Sequence, residues 1–163
     1  MLKVRGPAAV LAAVPLVAAV PGQAQAAPKP PGKRSVALRT DAPELAIVPG
    51  VTRTWAFTAA PKGGKKGERA AYRATFRATL PASLEFVSGK GCEAEGRKVV
   101  CDLGKVKAGK KVKGSFRAKI STRAEPGREI VVRGVVTWGK ARAARDFPAV
   151  RVVEAPRLET ATL

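Results

Sequence analysis

The chain has 163 residues, with 31 lysines and arginines against 12 acids and a formal net charge of +19. That length holds one domain. With no histidine, it has neither a histidine-based triad nor a histidine-containing metal site, and with no asparagine it has no N-glycosylation acceptor.

Residues 1–26 read as a secretory leader. Lys3 and Arg5 give the positive start, residues 7–20 are uncharged and largely apolar, and Pro21-Gly22 breaks the run. Ala24-Gln25-Ala26 then offers the small-x-small site that signal peptidase needs, so cleavage is expected after Ala26. A spanning helix would need roughly 20 apolar residues, and this run is shorter and carries Pro15. No cysteine stands near the site to accept lipid. Residues 27–34, with Pro28, Pro30 and Pro31, read as an extended basic spacer. No later run is long enough to span a bilayer, and residues 155–163 read as a tail without an anchor.

From residue 35 to 154 the apolar positions alternate, which is the period of a strand and not of a helix. Residues 36–39 form a short opening strand, and Val48-Pro49-Gly50 reads as a turn. Over residues 52–59, Trp55 and Phe57 share one side, with Arg53 an awkward companion. In residues 72–80, Tyr72, Ala74, Phe76, Ala78 and Leu80 oppose Arg73, Thr75, Arg77 and Thr79. Two short strands are expected around the cysteines, at 84–87 and 98–103. Residues 112–120 repeat the alternation, with Phe116, Ala118 and Ile120 opposite Lys113, Ser115, Arg117 and Lys119. Residues 129–138 read as one strand presenting Ile130, Val132, Val136 and Trp138 inward, and residues 149–153 as the strand that closes the sheet. Turn-rich breaks are expected at 61–67, 89–96, 104–109 and 125–127.

Seven or eight strands, half wet and half dry, call for an all-β antiparallel β-sandwich, because each apolar face must be covered. The expected core is Trp55, Phe57, Tyr72, Phe76, Phe86, Phe116 and Trp138, each worth on the order of 1.5–3 kcal/mol on burial. A carbohydrate-stacking surface is the competing reading of these aromatics. Cys92 and Cys101 are expected to form a disulfide in an oxidising compartment, with Glu95-Gly96 turning the chain between them. The spacing is not that of a redox CxxC pair, and two cysteines alone make a poor zinc site.

The run Leu80-Pro81-Ala82-Ser83-Leu84-Glu85-Phe86-Val87, then Cys92, then Cys101-Asp102-Leu103-Gly104-Lys105-Val106-Lys107-Ala108-Gly109 resembles the bacterial surface-repeat domain DUF11. That resemblance covers about residues 45–153. It implies an immunoglobulin-like β-sandwich of secreted and cell-wall proteins, notably in actinobacteria, with a structural or adhesive role and no catalytic residues. Two departures stand out: Pro61-Lys62-Gly63-Gly64-Lys65-Lys66-Gly67 replaces the family's N-x-G turn, and residues 140–146 replace its Asp/Asn-rich end. The second weakens any expectation of calcium, which needs several carboxylate or carbonyl oxygens.

Function beyond the fold rests on charge. Lys105, Lys107, Lys110, Lys111, Lys113, Arg117 and Lys119 follow one another with no acid between them, and Lys62, Lys65, Lys66 and Arg69 sit around Glu68. Should the wet face of residues 112–120 adjoin the 62–69 loop, these groups would make one positive surface for an anionic wall polymer, an acidic polysaccharide or extracellular DNA. A third group is Lys140, Arg142, Arg145 and Arg151. The bland alternative is a solvated basic surface without a partner. No helix-turn-helix or zinc finger points to sequence-specific DNA recognition. The carboxylate pairs Asp41/Glu44 and Glu93/Glu95 read as surface groups, no serine has a recognisable base, and no cofactor is expected. The excess charge favours a monomer, secreted or loosely wall-associated.

Overall fold

A computed structural model describes residues 33–63 and 71–156. Every regular element among them is a strand: β1 (Ser35–Asp41), β2 (Ala46–Ile47), β3 (Thr52–Lys62), β4 (Ala71–Thr79), β5 (Leu84–Ser88), β6 (Cys92–Glu95), β7 (Lys98–Lys107), β8 (Val112–Ile120), β9 (Glu129–Ile130), β10 (Arg133–Trp138), β11 (Ala141–Asp146) and β12 (Val150–Val152). Two large sheets, in the orders β1-β3-β8-β5 and β11-β10-β4-β7-β6, face each other, and a small sheet β2-β12-β9 caps one end. All pairings are antiparallel except that of β12 with β2. The architecture is the expected antiparallel, immunoglobulin-like sandwich, with nine strands in its two large sheets instead of seven or eight.

The alternation places the core. Trp55, Phe57, Phe76, Phe116 and Trp138 are at most 1% exposed, whereas Tyr72 and Phe86 are half-buried. The rings are therefore core, not a stacking surface. Phe57 stacks on Phe76 with centroids 3.7 Å apart, joining the two sheets, and Trp55 stacks on Phe116 at 5.9 Å. Two glycines make room for these rings. A Cβ on Gly114 would lie 2.3 Å from the Phe57 ring, and one on Gly134 would lie 2.7 Å from that of Phe76. Trp138 buries its indole N–H by donating to the Val106 carbonyl at 2.7 Å.

Several boundaries differ from those read in the sequence. β3 runs on to Lys62 through Pro61, whose carbonyl accepts from Gly109 at 2.9 Å. Backbone N and C=O of one strand residue point the same way, so the missing N–H faces the side where β8 has already ended at Val112, opposite Ala59. No ladder bond is lost there. β7 likewise continues through the expected break at 104–109. Gly104, with φ +71°, accommodates a bulge opposite Ala74 and keeps the ladder going to Lys107. The break at 89–96 contains β6, and the unforeseen β11 pairs with β10.

The stretch 129–138 is two strands: β9 joins the small sheet and β10 the large one. Ile130, Val132, Val136 and Trp138 are buried as expected, because the alternation carries through the crossing. Residues 149–153 likewise build the small sheet instead of closing a large one. Arg53 does share the inward phase of Trp55. It lies half-buried, with its guanidinium 3.5 Å from Glu44.

Candidate functional site

The two cysteines are directly opposite one another, Cys92 on β6 and Cys101 on β7, and are joined by a disulfide with a Cα–Cα distance of 3.9 Å. The hairpin turns at Gly96-Arg97 between the paired Glu95 and Lys98, and the positive φ of Gly96 suits the first central position of such a turn. Cys101 is fully buried and Cys92 half-buried, so the bridge fastens a short edge strand to the core.

The basic run from Lys105 to Lys119 does not form a single face. Lys105 and Lys107 flank the buried Val106 and point outward from the five-stranded sheet. The chain then crosses the end of the sandwich through Lys110 and Lys111. Lys113, Arg117 and Lys119 emerge on the outer side of the four-stranded sheet. There Lys113 lies across Thr58 from Arg39, a cation not singled out in the sequence. Lys65, Lys66 and Arg69 lie outside the described residues, while Lys62 is exposed at the end of β3.

The crossing is where charge accumulates. Gly109 donates to Pro61, Ser35 pairs with Lys62, Ala71 pairs with Lys107, and Gly139 donates to the Arg73 carbonyl at 3.4 Å. These contacts gather Lys33, Arg34, Lys62, Lys105, Lys107, Lys110, Lys111 and Lys140 at one end, all of them exposed. Arg34 lays its guanidinium over the Tyr72 ring, 4.5 Å from the centroid. Lys33 and Arg34 belong to the stretch read as spacer. Only the pairing of β1 with β3 reveals where they lie, and no local signal in the sequence carries that information.

Acids are distributed quite differently. Along the strands from this end, the first carboxylate among the described residues is Asp102, held by Arg73 through two hydrogen bonds. The Arg73 guanidinium and the Gly104 N–H, the latter at 3.0 Å, hold the Asp102 carboxyl below the usual carboxylate range. Toward the other end four cations are paired: Arg53–Glu44 at 3.5 Å, Arg128–Glu125 at 3.6 Å, Arg133–Asp146 at 3.7 Å and Arg151–Glu129 at 3.5 Å. Each such surface pair adds little stability, but it cancels charge locally. The third basic group of the sequence is thereby dispersed, with Arg151 paired, Arg142 opposite Thr137 on the outer face of the sheet, and Lys140 at the basic end.

The depressed carboxyl has a testable consequence. A carboxyl whose pKa falls on folding contributes stability above its unfolded pKa, and that contribution is lost as pH drops through the folded value. D102N is therefore expected to melt below the parent at pH 7, with the two curves converging below the ordinary carboxylate range. A thermal melt series from pH 7 to pH 2 checks this. A gap that persists undiminished in acid would mean that the charge on Asp102 is immaterial.

The other candidates for chemistry are dispersed. Glu93 and Glu95 are exposed on β6, and Glu44 is engaged with Arg53. Among the described residues no group of three Cys, Asp or Glu side chains is placed to hold a metal ion, and no helix is long and apolar enough to cross a membrane.

No family model matches the chain, and no curated protein does. Solved structures with a similar fold include a variant of BcpA, the major pilin subunit of Bacillus cereus, at 12% identity and a TM-score of 0.53, over 76% of this chain and 41% of that one. The full-length major pilin SpaD from Corynebacterium diphtheriae matches at 18% identity and a TM-score of 0.53, over 70% of this chain and 34% of that protein. The N-terminal domain of the Streptococcus gordonii adhesin Sgo0707 matches at 14% identity and a TM-score of 0.50, over 75% of this chain and 33% of that one. The chain thus spans less than half the length of each. At these identities the likeness is one of fold alone, that of a β-sandwich.

Proposed function

We propose that the protein is an exported, non-catalytic structural or adhesive module of the bacterial exterior, related to the DUF11 surface repeats. The carrying observation is a sandwich whose edge strand is fastened by a disulfide, a bond that persists where thiols are oxidised. The secretory pattern of residues 1–26, the 80–109 segment with its DUF11-like spacing, and a fold similar to pilin and adhesin domains support the same reading. A second reading, docking on an extracellular polyanion, is favoured by the unmatched charge at one end of the sandwich.

Fractionation of cells expressing the full chain tests the first reading. The protein is expected in the medium or the wall fraction, beginning at Ala27 and taking up no thiol reagent until reduced. Recovery from the cytoplasm with residues 1–26 retained and both thiols reactive would overturn it.

A further inference from the structure

We infer that the basic end of the sandwich, through Lys62, Lys107, Lys110, Lys111 and Lys140, docks a flexible phosphodiester polymer outside the cell. This rests on the polyanion reading and names both the contact surface and the partner's chemistry. Three features single out this end and this partner.

The first is unmatched charge. Lys62, Lys107, Lys110, Lys111 and Lys140 make no ion pair among the described residues, and the first described carboxylate along the strands from their end, Asp102, is taken up by Arg73. The outer face of β8 is different. Arg39, Lys113 and Arg117 share that face with Asp41, and Lys119 lies directly across from Glu85. An acid within a Debye length, roughly 10 Å at 0.1 M salt, offsets much of the attraction a cation exerts on a polyanion.

The second feature is shape. The five lysines come from the end of β3, the end of β7, the β7–β8 turn and the β10–β11 turn. They stand on separate strand ends and turns of that end and not along one strand. Duplex DNA is stiff over about 150 base pairs and meets such an end along one side only. A flexible chain can wind among the separate turns and reach them all. Lysine suits that task, since its ammonium is a point charge on a long stem that needs no bidentate geometry.

The third is the lack of a stacking platform. Tyr72 lies beneath Arg34, and the tryptophans are buried. Sugar rings and unpaired bases are commonly held on exposed aromatic faces, and the described residues of this end present none. Recognition there rests on charge, and phosphodiesters supply it at every repeat.

Binding of poly(glycerol phosphate) to the protein from cells expressing the full chain tests this, with duplex DNA and polygalacturonate as alternatives at equal charge. Log K should fall with log salt at a slope of about −3.5, from roughly 0.7 per neutralised charge for the five lysines on a flexible chain. K107E/K110E/K111E should weaken binding about tenfold or more at low salt and reduce the slope to about −1.4 or shallower. R39E/K113E/R117E makes the same charge change on the β8 face and should stay within about threefold of the parent. Circular dichroism verifies folding, and K110Q/K111Q replaces the first triple if that one misfolds, with a smaller loss confined to the end variant.

Equal losses from both triples, or a greater loss from the face triple, would overturn the assignment to the basic end. Tighter binding of DNA or polygalacturonate would overturn the partner class. Retention on none of the three at low salt would instead remove the polyanion reading itself.

Discussion

Phe76→Ala is expected to destabilise the protein by ~3–5 kcal/mol, the range for deleting a buried phenylalanine ring. Phe76 is fully buried on β4 and meets aromatic side chains of the facing four-stranded sheet and of the loop after β11. It stacks on Phe57 at 3.7 Å and lies 6.3 Å from the rings of both Phe116 and Phe147. The smaller side chain leaves a cavity that Gly134, beneath the ring, cannot fill. Urea unfolding of the oxidised protein checks this, with a lowered midpoint and an unchanged slope as the expected result. Val87→Ala, at a position 47% exposed, is the control and should stay within about 0.5 kcal/mol of the parent. A Phe76→Ala loss below ~1 kcal/mol would mean that the ring does not seal the two sheets together.

The sequence discloses that core because period two is a local property. Phe76, Phe116 and Trp138 each stand in a run whose alternation decides their face, whichever strand lies beside them. Phe147 shows where this ends. It is 2% exposed and packs edge-on against Phe76 and Phe116. Yet it sits before Pro148 in a loop, with no alternating neighbours to mark it. β11 is hidden for a related reason. Its inward residues are Ala141 and Ala143, too small to stand out between arginines.

Surface charge is legible as an amount and not as an arrangement. The basic run reads as one cluster along the chain, but its middle crosses from one sheet to the other, so Lys105 and Lys119 end up on opposite outer faces. What replaces a single face is an asymmetry along the strands, with unmatched lysines at one end and ion pairs toward the other. Lys33 and Lys140 join the first group only because β1 starts and β10 ends there. These are long-range pairings, and residue spacing does not encode them.

Removing the disulfide is expected to cost roughly 2.5 kcal/mol, the chain-entropy value for a ring of about ten residues. Its position predicts where the loss appears. β6 is an edge strand of four residues whose only ladder is with β7, and Glu93, Ala94 and Glu95 are exposed. Without the bridge little apolar burial holds this strand, so its amides should open first. The bridge also packs against the neighbouring sheet: a Cβ on Gly89 would lie 2.8 Å from the Cys92 sulfur, and Cys92 Sγ lies 3.6 Å from the Ser115 carbonyl of β8. C92A/C101A should therefore remain a folded sandwich at 25 °C, with its urea midpoint lowered. Hydrogen exchange should rise first in β6, next at Asp102, whose N–H donates to the Gly91 carbonyl at 2.8 Å, and last in the β3–β8 ladder. A loss below ~0.5 kcal/mol, or exchange rising uniformly across both sheets, would show that the bridge does not act as a local fastening of this edge.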